Sequence, residues 1–136
     1  MTQKYLNQLT YKILGCAIEV HKHLGPGLLE SVYHKCFIKE LSIQNLSFRN
    51  QDLVPVEYKG FSLETDYRLD VLVEDTIIVE LKAIEGMLPV HEAQLMTYMK
   101  LMNKPKGILI NFNCTNIFKE GQKTLVNKLF ASLPVE

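Results

Sequence analysis

Three extended runs between residues 53 and 81 leave the chain little freedom in how they are arranged. "LVPVEY" at 53–58, "FSLETDYRLDVLV" at 61–73 and "TIIVEL" at 76–81 are separated only by Lys59-Gly60 and Glu74-Asp75. Turns of two residues cannot carry a crossover, so the runs are expected to pair as an antiparallel meander. Pro55 has no amide hydrogen for a ladder, which puts its strand at an edge or gives it a bulge.

Helical periodicity flanks the meander. Leu9, Ile13, Leu14, Ala17, Ile18, Val20 and Leu24 recur at three and four, predicting an amphipathic helix over 7–24. "GPG" at 25–27 stops it, because Gly25 can adopt a left-handed cap and Pro26 cannot continue the helix. A second helix is expected from Leu28 or Leu29 to about Asn45, with Val32, Tyr33, Cys36, Phe37 and Leu41 as its apolar stripe. "PVHEAQLMTYMKLMN" at 89–103 predicts a helix with Pro89 at a tolerated early position, "KGILINF" at 106–112 a strand, and 119–131 a closing helix. The order ααβββαβα is that of an α+β chain. Its central mixed sheet, the three-stranded antiparallel meander plus a further strand, would be flanked by helices. A length of 136 residues, 47% of them apolar, suits one domain over 1–136.

Several classes are disfavoured. No apolar stretch approaches the roughly 18–20 residues of a membrane span, and "MTQKYLNQLT" lacks the apolar centre of a signal peptide, so a cytoplasmic location is expected. Cys16, Cys36 and Cys114 are odd in number and widely spaced, signalling neither a disulfide framework nor a zinc knuckle. The net charge is zero but unevenly spread. Residues 60–95 hold two Lys/Arg against eight Asp/Glu, whereas 96–136 hold six against two. An acidic centre beside basic flanks suits a cation site next to a polyanion surface, and equally a solvated acidic hairpin.

The run "TIIVELKA" at 76–83 carries the chemistry. Residues i and i+2 of a strand share a face, so Glu80 and Lys82 project together. Pairing across Glu74-Asp75 brings Asp70 to the same open end of the hairpin. An ionised carboxylate removed from water without partners costs several kcal/mol, and two neighbours repel as well. A divalent cation relieves both costs. Mg²⁺ prefers oxygen ligands and keeps several waters, so two carboxylates and a strand carbonyl such as that of Leu81 form a suitable half-shell. The lysine can orient a water or offset charge on a phosphate. A plain surface ion pair at a strand end would also account for Glu80 and Lys82.

Asp70, nine residues, then Glu80-Leu81-Lys82 at the end of an apolar strand, with a helix before and a helix and strand after, resembles the PD-(D/E)XK nuclease superfamily. "GPGLLESVY" carries Gly27-x-x-Glu30-x-x-Tyr33 and resembles the signature of the GxxExxY protein family, which is placed in that superfamily. The resemblance implies a metal-dependent nuclease that hydrolyses phosphodiester bonds. Asp70 and Glu80 would bind Mg²⁺ or Mn²⁺, Glu30 would be a further acidic ligand, and Lys82 would assist attack by water. Gln94-x-x-x-Tyr98 looks like the Q-x-x-x-Y element of RecB-like members, which contacts substrate. Tyr33, one turn on from Glu30, would join Gln94 and Tyr98 as a substrate contact or simply pack. Leu69 stands where the motif has proline, which removes no ligand.

By the residues alone, Glu30 complements the dipole of its helix, and Gln94 and Tyr98 with His91 form a polar stripe. The implied partner is nucleic acid, DNA ahead of RNA, and no membrane. With only Arg49 and Arg68 as arginines, recognition would fall to a homodimer or a partner protein, while Lys100, Lys104 and Lys106 either contact phosphates near the site or form a solvated face. A catalytically silent interaction or regulatory module on the same fold is the alternative.

Overall fold

The computed structural model describes all 136 residues. α1 (Gln3–Leu24) begins four residues before the expected start, capped by Thr2, whose side chain accepts the Tyr5 amide, and Leu6 extends its buried stripe one turn ahead of Leu9. Gly25, at φ 66°, closes it by donating its amide to His21. α2 (Glu30–Ile43) follows the GPG turn.

The chain then forms β1 (Phe48–Asn50), β2 (Val56–Tyr58), β3 (Phe61–Leu63), β4 (Val71–Val73), β5 (Ile77–Lys82), α3 (Pro89–Leu101), β6 (Lys106–Asn111), α4 (Ile117–Glu120), β7 (Gln122–Val126) and α5 (Lys128–Ala131). Five strands make one mixed sheet in the order β1-β4-β5-β6-β7, and β2 with β3 form a separate hairpin. Only β5 and β6 are parallel, and α3 is the crossover between them. No helix is long and apolar enough to cross a membrane.

Both faces of the sheet are covered, which explains why its central strands are apolar without alternation. Ile77, Val79, Leu81, Ile108 and Ile110 join α1 and α2 in the larger core. Leu72, Ile78 and Leu109 face Leu95 and Met99 of α3. Gly107 admits that helix: a Cβ there would lie 2.8 Å from the Leu95 and Met99 side chains. By the same alternation, Glu80 and Lys82 belong to the α3 side.

The expected fold class stands, with three differences in its elements. The run 61–73 is not one strand, since residues 64–70 leave strand geometry between β3 and β4. The antiparallel partner of β4 in the sheet is therefore β1, three residues hidden in the polar stretch "NLSFRNQ", rather than 53–58. Residues 51–54 and 67–70 still pair, through the amides of Gln51, Val54 and Leu69, and lead outward to the β2–β3 hairpin. This arm is bulged beside Pro55: Val56 faces Leu63 and Leu53 faces Arg68, so two residues on one strand oppose four on the other.

The closing helix over 119–131 is also replaced. Asn116 caps a single turn, Gly121 ends it, and Asn127 caps another, leaving 122–126 as a strand. β6 is buried along its whole length, and β7 pairs the edge whose backbone groups would otherwise lack partners.

Candidate active site

β4 and β5 are joined by a turn with Glu74 and Asp75 both at positive φ, closed by the Thr76 amide donating to the Val73 carbonyl. The turn sets Val71 opposite Val79, and continuing that register places Asp70 opposite Glu80. The two side chains cross over. The Asp70 amide donates to Glu80 Oε2 at 2.9 Å, and the Leu81 amide donates to Asp70 Oδ2 at 2.8 Å. Each carboxylate thus takes the backbone amide of the opposite strand just beyond the last paired residues of β4 and β5.

Glu80 is only 5% exposed. Burial, then the adjacent Asp70 charge, push its pKa up to about 9, against a smaller opposing pull from Lys82. Without a cation, Glu80 therefore keeps its proton at neutral pH. Lys82, two residues on and half-buried, ends β5.

Glu30 opens α2 and is largely exposed. Partial burial and the Asp70 charge raise its pKa, while Lys82 and His34 lower it, so it lies in the same field. It does not join the pair, and no three His, Cys, Asp or Glu side chains stand close enough together to hold a metal ion. The convergence of three carboxylates expected from the sequence is thus reduced to two, with Glu30 nearby on its own helix.

Tyr33 is corrected from substrate contact to scaffold. It is completely buried, its ring stacks on Phe112 at 4.4 Å, and its hydroxyl donates to the Gly25 carbonyl and accepts the Leu28 amide. Those two bonds brace the turn in which Gly27 adopts φ 102°, and so fix where α2 begins and Glu30 sits.

On α3, Tyr98 is nearly buried, and burial followed by the charge of Glu80 raises its pKa, with smaller contributions from Tyr67 and Asp70. Gln94, one turn earlier, is exposed on the same side. His91 caps the helix by accepting the Leu88 amide on Nδ1, which explains its place in the polar stripe. Lys104 and Lys106 lie away from the site. Lys104 donates to Asp75 in the β4–β5 turn, and Lys106, paired in register with Ile77, is buried with its Nζ on Asn7 Oδ1.

Four residues around the site carry roles that the sequence did not assign them. Asn111, buried at the end of β6 and opposite Lys82, accepts the Ile84 amide on Oδ1 and donates Nδ2 to the Ile84 carbonyl. Phe112 donates its amide to the Lys82 carbonyl, so the backbone on both sides of Ala83 is held. A polar residue ending an apolar run was the available signal, as it was for Glu80. His34, one turn after Glu30, donates Nε2–H to Asn50 Oδ1 at 3.0 Å. Tyr67 lies with its ring centroid 6.4 Å from that of Tyr98.

A model of the PD-(D/E)XK nuclease superfamily matches residues 7–125. No curated protein and no solved structure matches the chain.

Proposed function

Because the chain belongs to the PD-(D/E)XK nuclease superfamily, we propose that it hydrolyses phosphodiester bonds of nucleic acid with the help of Mg²⁺ or Mn²⁺ held by Asp70 and Glu80. The observation that carries this reading is the reciprocal Asp70–Glu80 pair with Lys82 two residues beyond. The donor set fits a hard divalent cation. Each carboxylate commits one oxygen to a backbone amide, leaving Asp70 Oδ1 and Glu80 Oε1 for a ligand, and the cost that raises the Glu80 pKa is one a dication relieves. When bound, the cation supplies an activated water and neutralises charge developing on the phosphate.

The chain's own groups do the rest. Lys82 orients the attacking water and offsets phosphate charge from the α3 side of the sheet. Glu30, standing apart from the pair, supports a water of the outer sphere. Tyr98 and Gln94 line the approach on α3 and orient the substrate strand. The Gly27, Glu30 and Tyr33 positions support placement in the GxxExxY branch: the glycine and tyrosine shape the turn, and the glutamate is what the turn presents.

A second reading, a catalytically silent module, is favoured by the separation of Glu30 from the carboxylate pair. The two are separated by incubating wild type, Glu80→Gln and Lys82→Ala with single- and double-stranded DNA and RNA plus Mg²⁺ or Mn²⁺. Cation-dependent cleavage by wild type, lost in both variants, is expected. Cleavage unaffected by either substitution, or none in any condition, would sink the nuclease reading.

A further inference from the structure

A projecting arm, residues 51–70, ends at Asp70. Its root is a ribbon in which the Gln51 amide donates to the Asp70 carbonyl and the Val54 amide to the Tyr67 carbonyl. Its outer part is the β2–β3 hairpin, where Tyr58 faces Phe61 and Val56 faces Leu63 on one side, with Glu57 and Ser62 on the other. Phe61 is 73% exposed, Tyr67 54% and Tyr58 50%. Three aromatic side chains are therefore presented to solvent on the segment that delivers the first site carboxylate. The innermost, Tyr67, rests at a tilt of 59° against Tyr98, which itself borders the carboxylate pair.

The charges nearby are a second observation. A duplex is gripped mainly through its phosphates, which calls for a basic face. Here Lys104 is engaged with Asp75 and Lys106 is buried on Asn7. On the arm, Lys59 and Arg68 are matched by Glu57, Glu64 and Asp66. Apart from Lys82 at the site itself, a polyanion following the arm meets no net positive charge but three exposed aromatic side chains. Unpaired bases offer a matching surface, since stacking on aromatic side chains is uncharged and independent of base identity.

We infer that Tyr67, with Phe61 and Tyr58 further out, forms a base-stacking subsite, and that the strand led to Asp70 and Glu80 is single-stranded nucleic acid. This inference rests on the nucleic-acid reading of the site given above. Tyr67 is a specificity-determining residue in it: a base stacked on its free face is held one step from the Tyr98 edge of the site. Glu64 and Asp66 turn the phosphates outward by repulsion, so the contact is made through bases and depends weakly on salt.

The test is equilibrium binding by the full chain in EDTA, so that cleavage plays no part. Labelled DNA and RNA single strands, the corresponding duplexes, and an abasic strand with the same number of phosphates are compared by fluorescence anisotropy. The single strands are expected to bind more tightly than both the abasic strand and the duplexes. Tyr67→Ala is expected to weaken them by roughly 5- to 150-fold and Tyr67→Phe to restore them. Phe61→Ala, at an exposed tip where folding is not at stake, is expected to weaken them in the same direction. Equal binding of the abasic strand, tighter binding of duplex, or no effect of Tyr67→Ala and Phe61→Ala would each overturn the inference. So would a wild-type protein that sediments as a dimer and becomes monomeric with Phe61→Ala, because the aromatic face would then belong to a second copy. A protein that binds single strands through Tyr67 but never cleaves them with Mg²⁺ or Mn²⁺ upholds the subsite and refutes the nuclease. Cleavage with no preference for bases does the reverse.

Discussion

Asp70 and Glu80 hold each other's strands: the Glu80 carboxylate accepts the Asp70 amide, and the Asp70 carboxylate accepts the amide that follows Glu80. The arrangement binds β4 to β5 at the point where ordinary ladder bonds stop. It also leaves Glu80 in a nearly water-free position, where its protonation is tied to folding.

That tie sets a pH dependence. Glu80 has a pKa of about 9 in the folded chain against 4.5 as a free side chain, burial being the main cause. Between those values the folded state holds a proton that the unfolded state releases, so stability falls as pH rises through this window. Thermal unfolding in EDTA at a series of pH values is expected to show wild type losing stability across the window relative to Glu80→Gln. Mg²⁺ or Mn²⁺ at a hundredfold excess over its Kd is expected to return about 2.7 kcal/mol, more readily at the alkaline end, where proton and cation no longer compete.

Lys82 is half-buried at the end of β5. Lys82→Ala is expected to lower kcat by roughly 10²- to 10⁴-fold, the usual range for a group acting on a proton or an attacking water. Unfolding temperature and cation affinity measured by calorimetry should stay near wild type. A rise in KM with kcat unchanged would reassign Lys82 to substrate binding.

Asn111 connects β6 to the loop after Lys82 through both ends of its amide. Asn111→Ala leaves the Ile84 amide and carbonyl without these partners, at a cost of about 1–3 kcal/mol in denaturant unfolding. Because the same contact fixes the chain just past Lys82, kcat is expected to fall beyond what the lost stability explains, with cation affinity at Asp70 and Glu80 retained. Unchanged turnover in the folded fraction would confine Asn111 to the fold.

Gly107 sits beneath α3 with no room for a methyl group. Gly107→Ala is expected to destabilise the protein by roughly 1–3 kcal/mol through overpacking against Leu95 and Met99. Tyr98 belongs to the same helix, so its fluorescence or its quenching by bound strand should shift as well. An unaltered midpoint would mean that α3 lifts from the sheet without penalty.

Much of this was written plainly in the chain. The apolar stripe of α1, the GPG stop and the β4–β5 turn are local signals, each resolved within a few residues. The pairing of Asp70 with Glu80 followed from the turn, because a hairpin's register is arithmetic once its turn is known. β1 was hidden because Phe48, Arg49 and Asn50 lie in a polar stretch and become a strand only when β4 offers them partners. The helix expected over 119–131 failed for the same reason: the exposed edge of β6 recruits 122–126 whatever their helical pattern. Tyr33 misled because its spacing from Glu30 places it on the right face, while its burial depends on Phe112, nearly eighty residues away. Asn111 stands out locally as a polar residue ending an apolar run, but its partner Ile84 is set by the parallel pairing of β5 with β6, which no local pattern announces.

The chain has two reversals of similar look, Lys59-Gly60 at the tip of the arm and Glu74-Asp75 between β4 and β5, and they differ sharply in what they govern. An extra residue at the first lengthens a solvent-exposed projection and leaves every strand of the five-stranded sheet where it was. An extra residue at the second shifts the opposing strand by one position, and a shift of one sends Asp70 to the far side of the sheet from Glu80. The Glu74-Asp75 loop is thus the ruler of the carboxylate pair, and the freedom of this protein to vary in length ends there.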